Sequence, residues 1–280
     1  MAPPEDKPWH RVAKPLILAV LLAAVGAGIY LRGKQFSQTR DARRRVEVLG
    51  TRGTLTALGG GMDADEVAAA LDDAEAALRK VEAQMSARLE RSDVGRLNAA
   101  AAGEPVDLAP AVREVLAAAK DMHGRSGGAF DVTVGPLLAL WKQAGAADAL
   151  PEDEAIEQAR SASSWLDLRL TDAGAVKDRP SVRVDLGGIA KGYAIDRASE
   201  GLQAAGCPAA LVEVGGDVRC FERRDGADPW IIEVRDPFDP ARRLDVLAVT
   251  SGAVCTSGNY ARYVEIDGQR YSHIVDPRTG

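Results

Sequence analysis

The chain has 280 residues, 46% of them hydrophobic and 27% charged, a globular composition long enough for one large domain or two small ones, which excludes a disordered chain, a collagen and a coiled-coil rod. A net charge of −6 and 5% aromatic content supply neither the basic field nor the stacking surface that nucleic-acid binding needs, so no nucleic-acid partner is expected. Cys207, Cys220 and Cys255 are too few and too scattered for a disulfide framework or a zinc knuckle, and cysteine usage does not fix the compartment.

Residues 15–31, PLILAVLLAAVGAGIYL, carry no charge and lie between Lys7, Arg11 and Lys14 on one side and Arg32 and Lys34 on the other. These seventeen residues sit at the short limit of a membrane span and exceed most signal-peptide cores. No cysteine follows closely to accept a lipid, and no convincing cleavage site precedes a polar mature end. Residues 1–34 therefore read as a membrane anchor or uncleaved signal, with a buried soluble helix as the other reading. Arg32, Lys34, Arg40, Arg43, Arg44 and Arg45 outnumber the three basic residues before the run, so charge counting alone places the C-terminal side in the cytoplasm. Beyond residue 34 the chain has thirty basic and thirty-nine acidic residues and is acidic.

Short β-branched stretches around Gly50-Thr51 and Gly53-Thr54 predict a hairpin over residues 46–58, closed by three glycines at 59–61. Asp63 is a good N-cap for a long helix, in which Val67, Leu71, Ala74, Leu78, Val81 and Met85 recur on one stripe. Pro110 at a helix N1 position opens a second amphipathic helix, with Val112, Val115, Leu116, Ala119 and Met122 inward, stopped near Gly124. A third helix starts after Pro151. Strands are expected over residues 165–170, 182–186, 210–214, 230–234, 244–250 and 261–266, and a helix over 189–205. Helices crowd the first half and strands the second, which predicts an α+β fold with a mixed or mainly antiparallel sheet, forming one domain over residues 35–280.

Four segments carry candidate chemistry. In VDLGGIAKGYAIDRA, residues 184–198, a strand ends at Asp185, two glycines turn the chain, and a helix begins, so backbone N–H groups and the positive helix end converge on one point. That is an anion cradle to which Lys191 adds a point charge. A strand-to-helix turn with a solvated lysine is the alternative, and neither a Walker loop nor GxGxxG is present. In GGAFDVTVGPLLALW, residues 127–141, two glycines allow close backbone approach beside Phe130 and Asp131, although Phe130 alone reads as core. In LVEVGGDV, residues 211–218, a strand ends in a turn with Asp217 as its Asx residue. The last segment, TSGNYARYVEIDGQRYSHIVDPRTG, holds His273, the one histidine of three placed for proton transfer, although a single histidine near an aspartate is more often a structural hydrogen-bonder.

In this order the four segments resemble the ApbE family, the FAD:protein FMN transferases, over residues 49–280, with TSGNY and SHIVDPRTG the most specific and MSARLERSDVGRLN, residues 85–98, a looser match. The resemblance implies an ApbE-like, T-fold-like α+β domain that binds FAD with Mg²⁺ and moves FMN to a threonine of a target flavoprotein, releasing AMP. It implies FAD contacts at Leu49, Arg88, Ala129, Phe130, Asp131, Asp185, Lys191 and Val275, a Mg²⁺ position at the Gly188 carbonyl, and His273 as the base. Leu49 stands where Met is usual, and Arg88 where some members place a flavin-contacting Tyr. The family pattern continues past DPRTG to an Ala-Asp-Ala segment that, with a nearby Asp and Thr, completes the metal site, so the resemblance implies a domain lacking its C-terminal end. It also favours the outer face of the cytoplasmic membrane, against the arginine count. A flavin-binding protein without turnover and a plain FAD pyrophosphatase are the alternatives. A serine hydrolase using Ser257 and His273 lacks any G-x-S-x-G elbow.

Overall fold

The alternation over residues 46–58 folds as a hairpin that begins earlier, β1 (Asp41–Val48) pairing antiparallel with β2 (Thr51–Leu58). The computed structural model describes residues 41–222, 228–239, 241–258 and 263–280; the anchor segment 1–34 and Asn259-Tyr260 of TSGNY lie outside them. No helix among the described residues is long and apolar enough to cross a membrane.

The remaining strands are β3 (Pro105–Asp107), β4 (Leu168–Leu170), β5 (Gly174–Lys177), β6 (Ala209–Val214), β7 (Asp217–Glu222), β8 (Trp230–Arg235), β9 (Arg243–Val249), β10 (Gly252–Val254), β11 (Tyr263–Ile266) and β12 (Gln269–Ser272). The helices are α1 (Ala64–Met85), α2 (Asp93–Ala99), α3 (Pro110–Arg125), α4 (Gly135–Ala147), α5 (Asp153–Ser161) and α6 (Ala190–Ala204). One five-stranded sheet runs in the order β1-β2-β6-β7-β10, a second β3-β5-β4, and β8–β9 and β11–β12 are hairpins. Among the described residues every strand pair is antiparallel, and the isolated bridge of Val134 with Arg183 is parallel.

Helix α1 starts where its sequence says it should. Asp63 Oδ1 accepts from the Asp65 and Glu66 N–H groups at 2.9 Å, and Glu66 Oε2 accepts from the Asp63 N–H at 2.8 Å, a capping box worth about 1 kcal/mol. All six residues of the predicted stripe are buried, together with Ala194, Ile195, Ala198 and Leu202 of α6 and the inward residues Leu55, Ala57, Val212 and Val214 of β2 and β6. The two helices therefore cover one face of the larger sheet and fix where α6 begins, which is where the candidate cradle lies.

Four expectations are corrected. Residues 182–186 join no sheet, because their neighbours are a loop and side chains rather than a strand. Residues 165–170 open as a 3₁₀ turn, Trp165–Asp167, before β4. Met122 is 41% exposed, since the stripe of α3 leaves the core one turn before the helix ends. The segment LVEVGGDV is a hairpin rather than a strand end: Gly215 and Gly216 join β6 to β7, and Asp217 is the first residue of a strand.

Candidate functional site

The turn after Val184 is built from close approach. Neither Gly187 nor Gly188 has positive φ, but a Cβ on Gly187 would stand 2.9 Å from Asp185 Oδ1 and one on Gly188 would stand 3.1 Å from Phe130 Cε2. A side chain at either position would have to displace the Asp185 carboxylate or the Phe130 ring by a few tenths of an ångström, so the pair is favoured here by space and not by backbone conformation. One oxygen of Asp185 serves the turn itself, Oδ1 accepting from the Gly187 N–H at 2.7 Å. Behind it α6 begins with no side-chain cap, leaving the positive end of the helix facing the turn.

Lys191 is not a solvated lysine. Its Nζ forms an ion pair with Asp217 Oδ2 across to the start of β7, and one turn on Arg219 pairs with Asp196. Asp217 therefore serves as the partner of Lys191 and not as an Asx turn residue, a pairing that a separation of 26 positions hides from local reading. The thiol of Cys255 lies close to the same groups, and burial first, then Asp217, pushes its pKa up.

Opposite the turn lies the loop bearing Ala129, Phe130 and Asp131. Gly127 and Gly128 have φ of 60° and 80°, and nothing lies within 4 Å of a Cβ on Gly127, so these glycines are required for conformation and not for the backbone approach expected of them. Asp131 is buried: its Oδ1 accepts from the Thr133 N–H at 2.7 Å and the Thr133 hydroxyl at 2.6 Å, and its Oδ2 lies 3.3 Å from His123 Nδ1. The same nitrogen is 3.1 Å from the Phe130 carbonyl, and the ring stacks on Trp165 at 5.6 Å. Two acceptors at Nδ1 assign the proton to that nitrogen. His123, in the last turn of α3, thus fixes the loop whose phenyl ring rests on Gly188.

The other site residues stand in two further places. Leu49 and Gly50 form the β1–β2 turn with φ of 55° and 66°, the left-handed pair of a type I′ turn, and a Cβ on Gly50 would lie 3.5 Å from the Arg88 guanidinium. Leu49 is partly buried against the core, which offsets the cost of αL backbone at a bulky residue. His273 and Val275 follow β12; His273 is exposed and Val275 half-buried. This stretch is held on α4, with Tyr271 stacked on Trp141 at 5.3 Å and Trp141 Nε1 donating to the Gly280 carbonyl at 2.8 Å. The Asp276 carboxylate accepts from Arg278, whose guanidinium holds its pKa down at about 2.

The structure thus brings Phe130, Gly188 and the Asp185 turn together and seats Lys191 one turn away. Asn98 and Lys177 were missed from sequence. Asn98 Oδ1 accepts from the Val184 N–H at 2.7 Å and its Nδ2 donates to the Val184 carbonyl at 2.8 Å. Lys177, 1% exposed, donates from Nζ to the Asn98 carbonyl at 2.8 Å. Asn98 closes the looser family match over residues 85–98, which assigns it no role, and a lysine in a short strand carries no distinctive signal.

The ApbE family model matches residues 49–280. The chain belongs to the ApbE family. It is 37% identical over 207 residues to the FAD:protein FMN transferase of Vibrio cholerae, a match covering 72% of this chain and 62% of that protein. It is 31% identical over 220 residues to that of Haemophilus influenzae, covering 75% and 63%. The chain spans less than two thirds of the length of these relatives. Among solved structures, the ApbE protein of Thermotoga maritima superposes with a TM-score of 0.76 at 34% identity, over 86% of this chain and 77% of that one. The apo flavinyl transferase ApbE of Pseudomonas stutzeri gives 0.73 at 31%, over 86% and 75%. The α+β architecture of antiparallel sheets and packed helices is that of the family.

Among the described residues no group of three or more His, Cys, Asp or Glu could hold an ion. Asp131 is engaged by Thr133 and His123, Asp185 by its own turn, and Asp217 by Lys191. The described residues by themselves do not make a Mg²⁺ shell, which wants near-octahedral oxygen donors.

Proposed function

We propose that the chain is an FAD:protein FMN transferase domain, binding FAD at the Asp185–Lys191 turn and passing its FMN half to a threonine hydroxyl of a target flavoprotein. The observation that carries this reading is the turn itself, where a Cβ on Gly187 or Gly188 would crowd Asp185 or the half-buried Phe130 ring just ahead of a helix that begins without a side-chain cap. Such a turn lets a pyrophosphate approach backbone N–H groups and the helix dipole. Lys191 adds a cation once Asp217 releases it. The threonine oxygen attacks the phosphorus of the FMN half, the phosphoanhydride bond breaks, AMP leaves with the electron pair, and His273 takes the hydroxyl proton. Leu49, Arg88, Ala129, Asp131 and Val275 complete the flavin contacts.

Mg²⁺ belongs to this reading through the resemblance alone, with the Gly188 carbonyl as its matched position, and no step is assigned to it. Residues 1–34 serve as an anchor in the cytoplasmic membrane, with residues 35–280 forming the catalytic domain on its outer face. AMP release from FAD, measured with and without Mg²⁺ and with a threonine-bearing acceptor, tests the reading. Acceptor-dependent AMP and a flavin-labelled acceptor support it. Release without acceptor makes the chain a pyrophosphatase, and FAD binding without release makes it a carrier. His273→Ala is expected to lower transfer by roughly 10²–10⁴-fold while leaving FAD affinity nearly intact, and equal loss of both reassigns His273 to structure.

A further inference from the structure

The segment that carries Asp185 is not a sheet strand, yet its backbone is bound on both edges. On one edge the Gly135 N–H donates to the Arg183 carbonyl at 3.2 Å, beside the isolated parallel bridge of Val134 with Arg183, and the Asp185 N–H donates separately to the Val132 carbonyl at 2.7 Å. Val184 is buried, so its own N–H and carbonyl must find partners, and among the described residues no main chain supplies them. The Asn98 carboxamide does so instead, presenting one acceptor and one donor to the N–H and carbonyl of the same residue, as a neighbouring strand would.

Asn98 is itself held from behind. Lys177 is fully within the fold, and its ammonium donates to the Asn98 carbonyl at 2.8 Å and to the Val182 carbonyl at 3.4 Å, tying the end of α2 to the segment two residues before Val184. Among the described residues no carboxylate pairs with it. Burial first, and then the nearby Arg183, pushes its pKa below the ordinary lysine range. Burying a cation against neutral carbonyls is costly, and an apolar side chain in β5 would avoid that cost. What the ammonium gives in exchange is a pair of hydrogen bonds to the main-chain oxygens of Asn98 and Val182.

We propose that Asn98 and Lys177 are positioning residues for FAD binding: they stand in for the absent sheet neighbour of residues 182–185 and so set where Asp185 and the Gly187–Gly188 turn meet the ligand. The inference rests on the flavin reading above for its ligand, but the clamp can be read without any ligand. Neither residue touches the turn, so both act only through Val182 and Val184.

The test uses the whole chain with Asn98→Leu, Asn98→Asp and Lys177→Met. Asn98→Leu removes both bonds at similar volume, and Asn98→Asp keeps the acceptor for the Val184 N–H while removing the donor. Three readouts are taken: urea unfolding, native-state hydrogen exchange of the Val184, Asp185 and Gly187 amides against those of β2 and β6, and FAD affinity by flavin fluorescence. The expected result for Asn98→Leu is faster exchange confined to residues 184–187 and FAD binding weakened by about tenfold or more, the scale of two neutral hydrogen bonds lost. Asn98→Asp should fall between it and the parent. Lys177→Met should weaken FAD binding while leaving exchange in β2 and β6 unchanged. Exchange that rises equally at β2, β6 and residues 184–187 makes the residues merely stabilising and overturns the proposal, as does local loosening with unchanged FAD affinity. If Asn98→Leu does not fold, the other two variants carry the same decision. A parent chain that binds no FAD sinks the flavin reading, and the exchange pattern then decides the clamp alone.

Discussion

Two Gly-Gly turns face each other across the candidate site, and the same dipeptide does opposite physical work in them. At Gly127-Gly128 the backbone is left-handed and the space around a Gly127 Cβ is open; at Gly187-Gly188 the backbone is ordinary and the space is closed. The first pair shapes a loop, and the second clears room for a neighbour. A glycine in a sequence therefore announces a constraint without naming it, and only the second kind marks a place where another group comes close.

The comparison breaks most readily at Gly188. Gly188→Ala pushes a methyl against the Phe130 ring and should weaken FAD binding by roughly 10- to 100-fold, the scale of 1–3 kcal/mol of overpacking. The double variant with Phe130→Leu should recover part of that loss, and no recovery would mean that the ring is not the obstacle. Lys191→Ala should weaken FAD binding by about tenfold in a fluorescence titration, a charged hydrogen bond left unmade. Asp217→Asn, which frees the ammonium, should move affinity the other way, and a parallel loss in both variants would show the pair to be structural.

Gly127→Ala should cost about 1–2 kcal/mol of folding stability through its left-handed backbone while FAD affinity stays put. Gly127→Asn should recover much of that cost, because asparagine tolerates the conformation; equal urea midpoints for Ala and Asn would refute the conformational reading. The smallest effect lies outside both turns. The Asp276 pKa is depressed to about 2, so the contact with Arg278 is present at neutral pH and is lost only as pH falls through about 2. In Arg278→Ala the Asp276 carboxyl should titrate nearer the ordinary aspartate range by NMR.

The sequence made α1, α3, α5 and α6 legible because caps and stripes are local, and Asp63 with Glu66 is such a signal. It hid β3, β5, β10 and β12, strands of three or four residues whose identity comes only from their partners, and α2 and α4, whose residues carried other readings. The cradle was visible as a motif. Its wiring was not, since Asn98 lies 86 positions from Val184 and Lys177 lies 79 from Asn98. Long-range hydrogen bonds between unremarkable residue types leave no periodicity to read.

The Lys191–Asp217 ion pair has a consequence for selectivity. With its carboxylate partner already in place, the lysine is neutralised at rest, and a lone chloride or phosphate offers it no more than Asp217 does while also losing its own translational freedom. Simple anions at cellular concentration should leave the pair closed. A large ligand anchored elsewhere by its ring system pays that entropy once and can then compete for the ammonium at high effective concentration. Discrimination against the small anions of the medium is thus written into the chain as a tethered competitor, and it needs no narrow pocket to enforce it.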